Sequence, residues 1–156
     1  MTPAIRWYEH GRLIASGAQQ HYAIIAGSGA PTVVFEAGLS SSAAAWEAVA
    51  PAIQQDVRCC SYDRGGVGRS PAGPGPRSAL QLAEELGQLL QATQLPAPYV
   101  LVGHSFGGMM TQLLATLQPA LIAGLVLVDT PPPGVYAAHG RAAARWRLGR
   151  VDAALE

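Results

Sequence analysis

The segment 103–107, which reads Gly-His-Ser-Phe-Gly, constrains the fold of this chain more than any other feature. It stands between a continuous apolar run, 98–103, and a segment of helical periodicity, 109–118. Glycines two residues on either side of Ser105 remove the Cβ atoms that would clash in a sharp strand-to-helix turn. We therefore predict that Ser105 lies at the apex of such a turn, in a strained backbone conformation with positive φ.

Strand-like and helix-like segments alternate along most of the chain. Four short apolar segments are predicted to be buried strands: 31–38, 57–63, 98–103 and 122–129. Ser78 forms a capping box with Gln81 before a helix that Pro96 ends, and the weaker helical pattern around Trp46 is shortened by Pro51. This alternation predicts an α/β fold, with a mostly parallel sheet and helices on both faces.

The two ends of the chain depart from that alternation. Residues 4–26 alternate polar and apolar positions around turns at Gly11 and Gly17, which predicts an antiparallel strand pair at a sheet edge. The Ala/Arg-rich segment 142–156 is typical of a helix, and no strand-like segment follows it. We expect a core over 1–130, the start of a cap or a helical tail over 131–156, and a sheet that is truncated after its sixth strand.

Composition and charge restrict the function. The chain has 156 residues, 49% apolar and 13% charged, and ten basic residues balance ten acidic ones. This is one globular domain without the basic surface of a nucleic-acid or anionic-membrane binder, so we expect a small-molecule substrate. The adjacent Cys59 and Cys60 are interpreted as reduced thiols. The first residues lack the apolar region of a signal peptide, which favours a cytoplasmic location, and we expect no cofactor and no metal.

The predicted turn at Ser105 also supplies hydrogen-bond donors. A helix that begins at Phe106 directs free N–H groups and its positive dipole end towards the same point, which suits a developing oxyanion. We assign the Phe106 amide as one donor. The second donor is expected from the loop after strand 31–38, and we assign the Leu39 amide.

Three segments together resemble the α/β-hydrolase superfamily, of the serine-nucleophile type. They are FEAGLSSSAAAW (35–46), YDRGGVGRS (62–70) and VLVGHSFGG (100–108), in the family's order and at similar spacing. The resemblance spans about residues 20–130. It implies a hydrolase that cleaves an ester, thioester or amide through an acyl-serine intermediate, and it implies a structural role for the Asp63-Arg64 loop. A serine where dehalogenases and epoxide hydrolases have aspartate favours acyl transfer.

The acid and the base are the open part of this prediction. In the family the order is serine, acid, histidine, which Asp129 and His139 formally satisfy. The acid of many members lies one strand later, however, and His139 stands where a cap begins. Three alternatives remain: a fragment whose base is missing, a non-catalytic binding module that retains the pocket, and a minimal enzyme that uses His139.

The other histidines and Trp46 have simpler interpretations. His104 adjoins Ser105 and is expected to be packed or hydrogen-bonded rather than to act as the base. His10 and His21 are expected at the surface of the edge strands, and Trp46 in the core. A sheet that stops at 122–129 would leave an apolar strand at an open edge, so we also expect self-association there.

Overall fold

The computed structural model describes residues 6–75 and 77–132. Within them a single sheet has the strand order β1-β2-β4-β3-β5-β6. The strands are β1 (Arg12–Ser16), β2 (Gln19–Ala26), β3 (Thr32–Glu36), β4 (Arg58–Tyr62), β5 (Tyr99–His104) and β6 (Ile122–Val128). The α-helices are α1 (Ala50–Ile53), α2 (Ala79–Thr93) and α3 (Phe106–Leu117), and 3₁₀ turns occupy Trp7–His10, Ala43–Trp46 and Pro119–Leu121.

The sheet is mostly parallel, as predicted. Strand β3 runs parallel to β4 and β5, and β6 runs parallel to β5. Strand β2 runs antiparallel to both of its neighbours, β1 and β4, and β1 and β2 form one edge of the sheet. The carboxyl ends of β3, β4, β5 and β6 therefore meet along one edge, the position where open α/β sheets place their ligands.

Successive side chains of the central strands divide the core into two layers. On one face, Phe35 of β3 packs against Trp46, with ring centroids 5.0 Å apart. On the other face, Val34 packs in a cluster with Leu86 of α2 and Leu114 of α3. The two long helices thus cover one face, and the short helical turns cover the other. Trp46 lies in the core, as expected.

Local sequence signals determine where the helices begin and end. The Ser78 hydroxyl accepts a hydrogen bond from the Gln81 N–H at 3.2 Å, so the predicted N-cap of α2 is confirmed. Helix α2 ends at Thr93, and Gln94 follows in the left-handed conformation before Pro96. The helical pattern around Trp46 is interrupted: Ala43–Trp46 form a 3₁₀ turn, and Pro51 lies in the first turn of the separate four-residue helix α1, where a proline is tolerated.

The antiparallel strand pair predicted for the N-terminal region is confirmed: β1 and β2 pair on either side of the Gly17 turn at the edge of the sheet. Among the described residues before Gly11, Trp7–His10 form a 3₁₀ turn that buries Trp7 against the core. The expectation for His21 was wrong. His21 is buried rather than at the surface, since it lies on β2, which β1 and β4 flank on either side. His139 and the predicted helix over 142–156 lie outside the described residues, and the domain boundary near 130 remains a prediction.

Candidate active site

Ser105 lies at the junction of β5 and α3. Its backbone has φ 50° and ψ −120°, outside the regions that residues with side chains ordinarily adopt. The Ser105 N–H donates a hydrogen bond to the Val128 carbonyl at the end of β6, 2.9 Å away. The side chain is half-buried. The predicted strained turn is therefore confirmed, and such strain, about 1–3 kcal/mol, persists where the surrounding structure enforces it.

The glycines around Ser105 allow backbone to pack directly on backbone. A Cβ on Gly103 would lie 2.5 Å from the Gly108 Cα, and a Cβ on Gly107 would overlap the carbonyl oxygens of Glu36 and Ala37. Neither contact involves a flexible side chain that could move aside. The contact at Gly103 holds α3 against β5, and the contact at Gly107 holds the first turn of α3 against the end of β3. The loop after β3 therefore lies beside the serine.

The two amides that the sequence predicts as oxyanion donors lie on elements next to Ser105. Phe106 is the first residue of α3, so its N–H has no acceptor within the helix. Leu39 follows Gly38, and a Cβ on Gly38 would lie only 3.7 Å from the Ser105 Cβ. Among the described residues, the Leu39 N–H donates to no acceptor. Within the described residues, neither amide is therefore hydrogen-bonded.

A buried ion pair supports the loop that carries Leu39. The Arg64 guanidinium pairs with the Glu36 carboxylate and also donates hydrogen bonds to the carbonyls of Ala37, at 2.8 Å, and Gly38. The Tyr62 hydroxyl donates to the other Glu36 oxygen. Burial raises the pKa of Glu36, an effect that the charge of Arg64 and the hydrogen bonds from Tyr62 and Arg64 oppose.

Sequence reasoning missed this ion pair. The available signal was a single carboxylate, Glu36, at the end of an otherwise apolar strand, with Arg64 just beyond the end of the neighbouring strand. Parallel strands place such residues at the same edge, where an isolated buried charge requires a partner.

The Asp63 carboxylate stabilises the rest of the loop that contains Arg64. One oxygen accepts from the Ala43 N–H at 2.7 Å, and the other accepts from the Arg69 N–H at 2.8 Å and the Tyr8 hydroxyl at 2.6 Å. Burial and this hydrogen bond raise the pKa of Tyr8 to about 12. Asp63 is fully buried, with both oxygens engaged. The contacts agree with the structural role that the sequence resemblance implies.

The histidines of the described residues do not hydrogen-bond to Ser105. His104 is half-buried against the loop after β3, with its Nδ1 3.0 Å from the position of a Cβ on Gly38. The His21 Nδ1 lies 2.7 Å from the Ser16 hydroxyl, and His10 is exposed. Asp129 is exposed directly after β6, with φ 46°. The structure thus places Asp129 at the same sheet edge as Ser105, whereas His139 lies outside the described residues.

Three further properties of the described residues concern metal ligands, thiols and membrane-spanning helices. In the part of the chain that the structure describes, no three His, Cys, Asp or Glu residues are grouped so that they could hold a metal ion. Cys59 and Cys60 are free and buried, as interpreted from the sequence, and burial raises the pKa of both thiols. Over those same residues, no helix combines the length and the apolar character needed to cross a membrane.

Comparison with known proteins defines the class of this chain. A family model described as the alpha/beta hydrolase fold matches residues 31–151. The chain belongs to this hydrolase family. Among solved structures, it is similar to one provisionally described as a lipase (lip1) of Acinetobacter baumannii AYE, with a TM-score of 0.75 and 27% identity, over 80% of this chain and 43% of that one.

Curated relatives also match about two thirds of the chain. The uncharacterized protein YqjL of Bacillus subtilis is 38% identical over 103 residues, which is 66% of this chain and 41% of that protein. A protein of Variovorax paradoxus, provisionally named carbamate hydrolase RutD, is 37% identical over 111 residues, or 70% of this chain and 41% of that protein. The chain therefore spans about two fifths of the length of these relatives.

Proposed function

We propose that the protein is a serine hydrolase in which the Ser105 hydroxyl attacks the carbonyl carbon of an ester, thioester or amide-type bond. The Oγ–carbon bond forms and the bond to the leaving group breaks, which gives an acyl-serine. The Oγ proton passes through a general base to the leaving group. Water then attacks the acyl-serine, releases the acid and restores the hydroxyl. The strained backbone of Ser105 is the observation that carries this proposal.

The Leu39 and Phe106 amides form the oxyanion hole in this proposal. The negative charge that develops on the carbonyl oxygen is stabilised by the two N–H groups and by the positive end of α3. Both amides lack an acceptor within the described residues, and both flank Ser105. Donors that are held in place before the reaction stabilise the transition state without reorganisation.

The order along the chain offers Asp129 as the acid and His139 as the base. Within residues 6–75 and 77–132, no histidine hydrogen-bonds to Ser105. Because His139 stands where a cap begins, we propose that it contributes little and that the chain by itself is slow. Removal of a triad member leaves about 10³–10⁴-fold catalysis over water, which comes from the oxyanion hole and substrate binding.

The substrate class follows from the chemistry and the charge. Balanced charges give no electrostatic preference for polyanions, so we propose a small, largely neutral acyl compound. The name of the RutD relative supports a carbamate among the candidates, since a carbamate also offers a carbonyl carbon to a serine.

Covalent labelling tests the proposal. The full chain is incubated with an alkyl fluorophosphonate, and the intact mass and the modified peptide are measured. We expect one phosphonyl group on Ser105, no labelling of Ser105→Ala, and unchanged labelling of Ser28→Ala, because Ser28 is an exposed serine at the opposite end of β3. Absence of labelling at Ser105 in the folded chain would favour a non-catalytic binding module.

A further inference from the structure

We infer that Arg64 is a positioning residue for the oxyanion hole, and that it directs the Leu39 amide towards the nucleophile. The inference rests on the proposed function, and it assigns a role in acyl transfer to a buried arginine that does not touch the substrate. Arg64 is 6% exposed. Its guanidinium contacts the backbone that precedes the Leu39 amide, which is one proposed donor. It also contacts the ring of Phe106, whose amide is the other.

Peptide geometry links Arg64 to Leu39. The Gly38 carbonyl and the Leu39 N–H belong to one planar trans peptide unit, so they point in opposite directions. Arg64 Nη2 donates a hydrogen bond to the Gly38 oxygen, which fixes the direction of that oxygen. The Leu39 N–H must then point away from Arg64. Gly38 also adjoins Ser105, since a Cβ at Gly38 would lie 3.7 Å from the Ser105 Cβ.

The same guanidinium fixes the preceding peptide unit. Arg64 Nη1 donates to the Ala37 carbonyl at 2.8 Å, which orients the plane that ends at the Gly38 N–H. Two consecutive peptide planes are thus held by one planar group. The fork geometry of arginine suits this arrangement, because its donors are rigidly spaced and remain charged.

Glu36 and Phe106 hold Arg64 in turn. The Glu36 carboxylate pairs with Nη1 and is itself held by the Tyr62 hydroxyl. The guanidinium carbon lies 5.6 Å from the centroid of the Phe106 ring, within the range of a cation–π contact. Phe106 provides the other proposed donor, so a single side chain connects both halves of the oxyanion hole.

Loss of Arg64 should affect the transition state more than substrate binding. Without the guanidinium, the Gly38–Leu39 peptide is free to rotate and to present its carbonyl oxygen to the oxyanion. A carbonyl oxygen carries partial negative charge and would repel the oxyanion. The oxyanion forms only during reaction, so the acylation rate constant should fall while KM stays nearly constant. Removal of one oxyanion donor costs roughly 10²–10³-fold in rate.

The test uses the full chain and measures acylation of Ser105 by p-nitrophenyl acetate, together with thermal unfolding. We expect Arg64→Ala to acylate about 100-fold more slowly with KM within about twofold of wild type. Guanidinium at non-denaturing concentration should restore part of the rate, because it can occupy the vacated position. Arg69→Ala is the matched control: Arg69 belongs to the same loop but contacts Tyr8 and Tyr22, so its loss should change stability and leave acylation intact.

A second variant keeps the test decisive if Arg64→Ala does not fold, since Arg64→Ala leaves the Glu36 carboxylate buried without its charged partner. Arg64→Lys retains the charge, but one ammonium group cannot reproduce the fork that reaches both carbonyls and Glu36. We expect its acylation to be roughly tenfold slower. Wild-type acylation in folded Arg64→Lys or Arg64→Ala overturns the inference. If Ser105 of the wild type is not acylated at all, the proposed function itself has failed.

Discussion

The Ser105 N–H donates a hydrogen bond to the Val128 carbonyl, 2.9 Å away, and thereby connects the strand-to-helix turn to the last residue of β6. This bond engages the serine's own amide and holds Ser105 against the neighbouring strand. Within the described residues, the next N–H in the chain, that of Phe106 at the start of α3, has no acceptor. Of two adjacent amides, one is thus bound to the sheet and one is not, and we propose that the second binds the oxyanion.

Hydrogen exchange distinguishes these two amides. We expect the Ser105 amide to exchange slowly, with the protection of the sheet, and the Phe106 and Leu39 amides to exchange quickly, because they lack acceptors. Residue-resolved exchange by NMR on the full chain measures all three. Protection of Phe106 equal to that of Ser105 would contradict the proposed oxyanion hole.

Substitution of Gly107 tests the backbone packing that forms the turn. Alanine in a helix is normally favoured over glycine by about 1 kcal/mol. Here its Cβ would overlap the carbonyl oxygens of Glu36 and Ala37, so we expect Gly107→Ala to lower the free energy of unfolding by about 2 kcal/mol or more. Gly124→Ala is the control, since nothing lies within 4 Å of a Cβ there, and it should change stability by no more than about 0.5 kcal/mol. Equal effects of the two variants would refute this account of the turn.

The sequence predicted Ser105 and the sheet well, and predicted polar contacts poorly. The strained turn at Ser105 could be predicted because its signal, the spacing of the glycines, is local in the chain. The parallel strands could be predicted because each is a separate apolar segment. His21 and the Glu36–Arg64 pair depend on which strands become neighbours, and neighbouring residues in the sheet are distant in the chain. His21 reads as an edge position until β2 is known to lie between β1 and β4.

Buried His21 should make stability depend on pH. Burial, assisted by the charge of Arg77, lowers the pKa of His21 from its ordinary 6.5 to about 4. The unfolded chain therefore binds the proton more readily, and this contribution to stability is lost as the pH falls from about 6.5 towards about 4. We expect a loss of roughly 2 kcal/mol across that window in urea unfolding. His21→Gln should remove this part of the pH dependence of the unfolding free energy, whereas replacement of the exposed His10 should not. An identical pH dependence for wild type and His21→Gln would contradict the role given to His21.

We propose that the chain self-associates through β6. Leu125, Val126, Leu127 and Val128 are each 37–48% exposed, and within the described residues no strand pairs with the outer edge of β6. A second copy offers matching unpaired backbone groups and apolar side chains. Sedimentation should show concentration-dependent association that Leu127→Lys weakens. Leu13→Lys, on the opposite edge strand and similarly exposed, is the control. A wild-type chain that remains monomeric at high concentration would exclude this interface.

The most direct test of the central claim is the detection of the acyl-serine. The full chain is mixed with p-nitrophenyl acetate, quenched with acid, and analysed by peptide mass spectrometry alongside Ser105→Ala, Ser28→Ala and His139→Ala. We expect one acetyl group on Ser105 in the wild type, in Ser28→Ala and, at a similar rate, in His139→Ala, and none in Ser105→Ala. Loss of acetylation in His139→Ala as well would identify His139 as the base and refute the minor role proposed for it. Turnover of the ester without an acetyl group on Ser105, and unchanged in Ser105→Ala, would contradict the account of this protein as a serine hydrolase.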